Sequence, residues 1–168
     1  MRHQLIGLML WLTAPAVSLA AQDRDTPPRA STMAYLGISR FDFDRYIRGE
    51  RDALVFGGVL RYSTNQVVSP QVVATFFQPD GIDALLLNVG VTVQNPGATV
   101  QPYVGAAGGY GARMAGAFES GVSIAAMGGV RYRVSARSRV VMELRATSVK
   151  RISNQALQLT AGYEWLRF

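Results

Sequence analysis

The chain has 168 residues and no cysteine, so it has room for one domain and holds neither a disulfide nor a thiolate metal site. Its formal charge of +6 invites a nucleic-acid partner. The arginines are scattered singly along alternating segments, however, with no basic run or recognition motif, and no nucleic acid is expected.

Residues 1–21 read as a separate object. Arg2 and His3 give a short positive start, an apolar run follows over 5–12, and Ser18, Leu19 and Ala20 supply small residues at a cleavage spacing. This is the pattern of a secretory signal peptide, with cleavage expected after Ala20 or Ala21. Pro15 and the modest length of the run argue against an uncleaved anchor, which needs about 20 apolar residues. Residues 22–31 are charged, contain Pro27-Pro28, and read as a flexible periplasmic lead-in.

From residue 32 to 168 the period changes to two. The first expected strand, 32–44, sets Tyr35, Gly37, Ser39, Phe41 and Phe43 against Ala34, Leu36, Ile38, Arg40 and Asp42. A charged loop over 44–51 leads to the second strand, 52–63, where Leu54, Phe56, Leu60 and Tyr62 oppose Arg61. The third, 68–77, opposes Val72, Ala74 and Phe76 to Ser69, Gln71 and Thr75, with Pro70 near its start, where a missing donor is best tolerated. The Gln-Pro-Asp-Gly turn over 78–81 precedes the fourth strand, 82–93, in which Leu85, Leu87, Val89, Val91 and Val93 oppose Asn88, Gly90 and Thr92. Asn95-Pro96-Gly97 turns into the fifth, 100–111. The longest connection, 111–120, leads to the sixth, 121–134. Residues 135–137 turn into the seventh, 138–148, where Val140, Met142 and Leu144 oppose Glu143 and Arg145. In the last, Leu157, Leu159, Ala161, Tyr163 and Trp165 alternate with Gln158, Thr160, Gly162 and Glu164, and the chain ends on Phe168. Such alternation is the mark of strands with one apolar and one polar face.

A soluble β-sandwich also shows short alternating strands. Three features weigh against it: a leader without any cysteine, strands mostly of ten to thirteen residues where soluble strands have about 5–6, and the placement of aromatics. With a periplasmic N-terminus, Phe41, Phe43, Phe76 and Tyr110 fall near outer strand ends, and Tyr35, Tyr62, Tyr132, Tyr163 and Trp165 near periplasmic ends, all on the parity read as apolar. Two aromatic girdles around an aliphatic band mark a membrane barrel. Phe56 and Tyr103 fit neither girdle.

The terminal strand closing on Phe168, the Pro102-Tyr103-Val104-Gly105 phrase and Gly129-Val130-Arg131-Tyr132-Arg133-Val134 resemble the small bacterial outer-membrane barrels of the OmpA transmembrane domain and OmpX kind. The resemblance covers nearly all of the chain after the leader. It implies an all-β, eight-stranded antiparallel up-and-down transmembrane barrel over 32–168, monomeric and located in the outer membrane of a Gram-negative bacterium. It also implies Phe168 as the assembly signal read by the barrel-assembly machinery, with periplasmic chaperones as transient partners. Phe168 and Leu166 share parity with Glu164 rather than Trp165, so a bulge near Leu166 or Arg167 would be needed to align the ending with that pattern.

Candidate chemistry is sparse. Barrel enzymes of this class that use a Ser nucleophile need a His base, and the one His of the chain is His3, in the leader. Asp42 and Asp44 read as a solvated rim beside Arg40. Gly105, Gly108, Gly109 and Gly111 do not match a nucleotide-loop spacing. No enzyme, cofactor or metal is expected. The polar parity carries Arg40, Asp42, Arg61, Arg131, Arg133, Glu143, Arg145 and Glu164. A mid-membrane Arg on the lipid face costs about 2–4 kcal/mol, untenable for a set this size against a stability of about 5–15 kcal/mol. They are therefore expected inside, as a salt-bridged plug; a narrow solute path is the alternative. Pairing around Ala136 puts Gly129 opposite Glu143 and Arg131 opposite Val141, making Glu143 the central acid with Arg131 diagonal to it. Loops 44–51 and 111–120 are the expected surface-binding segments, with Arg45, Arg48 and Arg51 as contacts to lipopolysaccharide phosphates. The expected role is structural or surface-interacting, with outer-membrane lipid and lipopolysaccharide as partners; a small pore or carrier is the alternative.

Overall fold

The computed structural model describes residues 29–42, 50–63, 67–78, 84–95, 98–113, 119–150 and 153–167. The signal peptide, most of the lead-in, Arg45, Arg48 and Phe168 lie outside the described residues. Eight strands form one closed antiparallel sheet: β1 (Arg29–Asp42), β2 (Glu50–Ser63), β3 (Val68–Gln78), β4 (Ala84–Gln94), β5 (Val100–Arg113), β6 (Glu119–Ser135), β7 (Ser138–Val149) and β8 (Ser153–Arg167). Every strand pairs with its sequence neighbours, and β1 closes the barrel against β8, with Leu36 facing Ala161. At 11 residues or more, each strand meets the length a tilted membrane crossing needs. Closure leaves no free sheet edge, the requirement for β-structure in lipid.

The alternation read from the sequence becomes an inside and an outside. Leu60, Val72, Leu87, Val89, Ile124, Met142, Leu144, Leu157 and Leu159 are exposed, while their strand neighbours Arg61, Gln71, Asn88, Ser123, Glu143 and Gln158 are buried. Soluble proteins rarely expose so continuous an apolar surface. Here it is a belt around the whole barrel. Phe56 lies on this belt, stacked on Phe76 with ring centroids 5.3 Å apart, and Tyr163 meets Trp165 edge-on at 4.9 Å.

β1 is a correction. Its Tyr35 face was expected outward and its Arg40 face inward. Instead Ser31, Met33, Tyr35 and Ser39 are buried, while Leu36 and Ile38 face out. The reason is local chemistry: Tyr35 has a hydroxyl that finds partners only inside, and its bulk is accommodated by glycine on both sides. Gly57 and Gly162 are its direct cross-strand partners, and a Cβ on Gly57 would fall 2.5 Å from the Tyr35 hydroxyl. Arg40, on the opposite parity, is thereby excluded from the interior.

Two boundaries also differ from expectation. β1 begins at Arg29, inside the segment read as lead-in. β8 pairs with β1 in unbroken register through Ala30 and Arg167, so the described part of β8 contains no bulge that would realign the ending. A bulge does occur between Arg133 and Ser135, where β6 meets β7 above the two-residue turn of Ala136 and Arg137. It sets Arg131 opposite Val141 and Gly129 opposite Glu143, the register that pairing around Ala136 requires.

The interior is layered. Ala53, Val55, Phe77, Leu86, Val149 and Ala156 belong to one buried apolar cluster, and all lie in the strand halves farthest from the described chain ends. The halves nearest those ends bury Ser31, Arg61, Gln71, Gln94, Arg131 and Glu164 alongside Met33, Val59 and Val141 of the same cluster.

Candidate functional site in the barrel interior

Below the apolar cap lies a charged layer built on β7. Glu143 and Arg145 are two residues apart on one strand, so both point inward. Arg145 donates to Glu143 Oε1 from Nε at 2.9 Å and from Nη2 at 2.5 Å. Tyr103 donates its hydroxyl to Glu143 Oε2 at 2.7 Å. The remaining terminal nitrogen of Arg145 donates to Thr75 Oγ1 at 3.1 Å and reaches the Tyr35 hydroxyl at 3.5 Å. Tyr35 in turn lies 3.1 Å from the Ala74 carbonyl and 2.6 Å from Thr75 Oγ1. Both side chains of the ion pair are almost fully buried, and both carboxylate oxygens are used. A buried ion pair is tolerable only when its remaining polar atoms are satisfied in this way.

A second cluster lies nearer the chain ends. Glu164 Oε1 accepts from Ser31 at 2.7 Å and from Arg61 Nη1. Arg61 also donates to Gln71 Oε1, at 3.2 Å from Nε and 3.0 Å from Nη2. Arg131 donates to Gln94 Oε1 and, at 3.3 Å, to Thr92 Oγ1. The Arg131 and Arg139 guanidiniums stand 4.0 and 3.8 Å from Glu164 Oε2, within ion-pair but not hydrogen-bond range. Tyr103 joins the two clusters: its hydroxyl holds Glu143, and Arg131 lies 4.0 Å over its ring centroid, a cation–π geometry. Gly129, directly opposite Tyr103 in the ladder, leaves room for that ring.

Of the eight residues expected to form the interior network, the structure brings together Arg61, Arg131, Glu143, Arg145 and Glu164. Arg133 shares the inward parity of Arg131 but sits at the mouth, exposed. Arg40 is corrected to the outer surface: its side chain is 61% exposed and pairs with Asp52 across the β1–β2 ladder at 3.1 Å. The backbone of Asp42 ends β1 on the parity of Arg40, and the Asp42 side chain lies outside the described set. Of the expected lipopolysaccharide contacts, Arg51 belongs to the start of β2. Glu143 is central as expected, but its ionic partner is Arg145 rather than Arg131.

Tyr35, Tyr103 and Arg139 were missed. The sequence does carry a signal for the tyrosines, since both face glycines once the register is known. Among the described residues no group of three His, Asp or Glu is gathered as a metal would require. The chemistry this interior offers is charge compensation and hydrogen bonding.

A closed eight-stranded sheet, an apolar belt outside and a hydrogen-bonded ionic interior define a small transmembrane β-barrel of the bacterial outer-membrane class. Three solved structures show the same fold. Neisserial surface protein A (NspA) superposes with a TM-score of 0.71 at 15% identity, over 81% of this chain and 96% of that one. The N-terminal barrel of Pseudomonas aeruginosa OprF gives 0.60 at 14%, over 81% and 97%. Ail, the attachment invasion locus protein of Yersinia pestis, gives 0.53 at 18%, over 82% and 98%. No protein-family model matches the chain, and no curated protein matches it. The apolar belt and the closed sheet are those of a membrane-spanning barrel, and the fold is shared with these bacterial outer-membrane barrels.

Proposed function

We propose that the protein is a non-enzymatic outer-membrane barrel with a structural or surface-interaction role, its lumen closed by its own side chains. The observation that carries this reading is the double closure of the interior. An apolar cap of Phe77, Leu86 and Val149 lies above an ionic layer in which Glu143, Arg145, Tyr103 and Tyr35 satisfy one another. Eight strands leave an interior that side chains fill, and here the filling is apolar where an aqueous path would need to emerge. The surface role draws support from the names of NspA and Ail, a surface protein and an attachment protein that share the fold. Lipopolysaccharide is the partner proposed for Arg45, Arg48 and Arg51, which lie in or beside the connection between β1 and β2. The barrel-assembly machinery and periplasmic chaperones are proposed as partners in biogenesis. Single-channel recording in planar bilayers tests the closed lumen. The expected record is flat; reproducible conductance steps, abolished by removal of the protein, would favour a small pore or carrier instead.

A further inference from the structure

Along the strands, the described charges on the lipid-facing parity are Arg40 and Asp52, and Lys150 follows β7 on the same parity as Ala146 and Ser148. All stand at the end of the belt opposite the first and last described residues. That end holds the longer connections, 43–49 and 114–118, and the other end holds the two-residue turn of Ala136 and Arg137, the arrangement of an outer and a periplasmic face. Arg40 and Asp52 pair with each other at 3.1 Å. Among the described side chains no carboxylate lies within ion-pair distance of Lys150, which is exposed.

The main chain fixes Lys150 at the lip of the belt. Its N–H donates to the Val122 carbonyl at 2.9 Å. Gly121 allows β6 to come that close, since a Cβ there would run into the Lys150 carbonyl. On its other side Val122 pairs with Tyr110 of β5. Lys150 and Tyr110 therefore flank Val122, two strand spacings or about 10 Å apart at the backbone. A Lys stem and a phenol can close that gap around a group the size of a phosphate. The Tyr110 hydroxyl lies 3.1 Å from Ser120 Oγ, and the pair is exposed. Whichever of the two donates, one hydroxyl hydrogen is left to offer to a ligand. Directly below, Val122, Ile124, Leu87 and Leu144 form an exposed aliphatic wall. A Lys at this height lays its stem on that wall and keeps its ammonium among headgroups, at little cost to the barrel.

We propose that Lys150, Tyr110 and Ser120 bind a phosphate of the acylated sugar that anchors lipopolysaccharide, with its chains lying on the wall of β4 to β7. Charge complementarity selects this occupant: an ammonium with a hydroxyl donor beside it makes charge-assisted hydrogen bonds to a phosphate, and the wall beneath takes acyl chains. A zwitterionic phospholipid brings a cation of its own to the same place and gains less. The site rests on the reading of lipopolysaccharide as a partner, but it lies on the barrel wall rather than on the 44–51 connection, and it engages the lipid anchor.

The test uses the refolded full chain in zwitterionic micelles, titrated with bis-phosphorylated lipid A and with the same lipid dephosphorylated. Native mass spectrometry reads the lipid bound per barrel. Saturable binding of the phosphorylated lipid is expected, with the dephosphorylated lipid at least ten-fold weaker. Lys150→Gln should weaken binding about ten-fold, the loss of one hydrogen bond to a charged group, and Tyr110→Phe by a smaller factor, about three-fold. Lys150→Arg should retain it. Arg40→Gln, on the opposite wall, should leave it unchanged. Lys150→Gln should have the same effect when Arg45, Arg48 and Arg51 are already Gln, which separates this site from the loop. Binding lost with the loop substitutions but not with Lys150→Gln would overturn the site and leave the loop reading standing. Equal binding of the dephosphorylated lipid, or no saturable binding by the folded wild-type chain, would also overturn it.

Discussion

Replacing Glu143 by Gln removes one negative charge and almost no volume from the centre of the barrel. Arg145 is then left with a side chain 2% exposed and no counterion in contact. Gln keeps an oxygen that can accept from one Arg145 nitrogen, and Tyr103 can turn its hydroxyl to accept from the new amide. The hydrogen-bond count therefore changes little, and the charge is what is lost. Breaking a buried ion pair at one partner costs about 3–5 kcal/mol, a large share of a typical stability of about 5–15 kcal/mol. Arg145→Met should cost a similar amount by stranding Glu143. The double substitution should cost less than the sum, with a coupling near the upper end of the usual range of about 0.5–3 kcal/mol. Glu143→Gln combined with Arg131→Gln should show far weaker coupling, because those two side chains meet only through the Tyr103 ring. Urea unfolding of the refolded barrel, followed by tryptophan fluorescence, measures all of these. A neutral Glu143→Gln, or stronger coupling to Arg131 than to Arg145, would refute the assignment of the central pair.

Further outcomes follow from other parts of the chain. Gly57→Ala should destabilise the barrel by about 1–3 kcal/mol through overpacking against Tyr35, whereas Gly108→Ala, whose new Cβ would meet nothing closer than 3.8 Å, should be near neutral in the same assay. Deleting Phe168 should impair insertion into the outer membrane in cells while leaving refolding into detergent intact; normal cellular insertion would remove its role as an assembly signal. Replacing Arg45, Arg48 and Arg51 together by Gln should reduce retention on lipopolysaccharide-coated beads, and unchanged retention would remove that site.

Most of the barrel was legible because strand alternation encodes the two solvents a membrane barrel meets. On β4, β7 and β8 the contrast is strong, as in Met142, Glu143 and Leu144, and inward and outward faces follow directly from it. β1 failed because its faces differ little in polarity: Tyr35 reads equally as a girdle residue or as an inward hydroxyl, and Arg40 as an inward charge or a rim charge. Only its neighbours decide, through Gly57 and Gly162 on either side and Arg145 across the lumen. Such contacts depend on strands far apart in sequence. The Glu143–Arg145 pair was hidden for a different reason. Diagonal cross-strand geometry pointed to Arg131, but residues two apart on one strand also share a face, and long side chains reach each other there. The apolar cap was missed because Val55, Phe77 and Leu86 sit on the parity otherwise marked by polar residues, and only closure of the barrel gathers them.

The central claim is that this chain is a closed β-barrel embedded in the outer membrane. Electrophoretic mobility of the protein from the outer-membrane fraction, with and without boiling in detergent, tests it directly. A compact band that slows to the unfolded position only after boiling is the expected result. A chain recovered in the periplasmic fraction, migrating identically before and after boiling, would contradict the account.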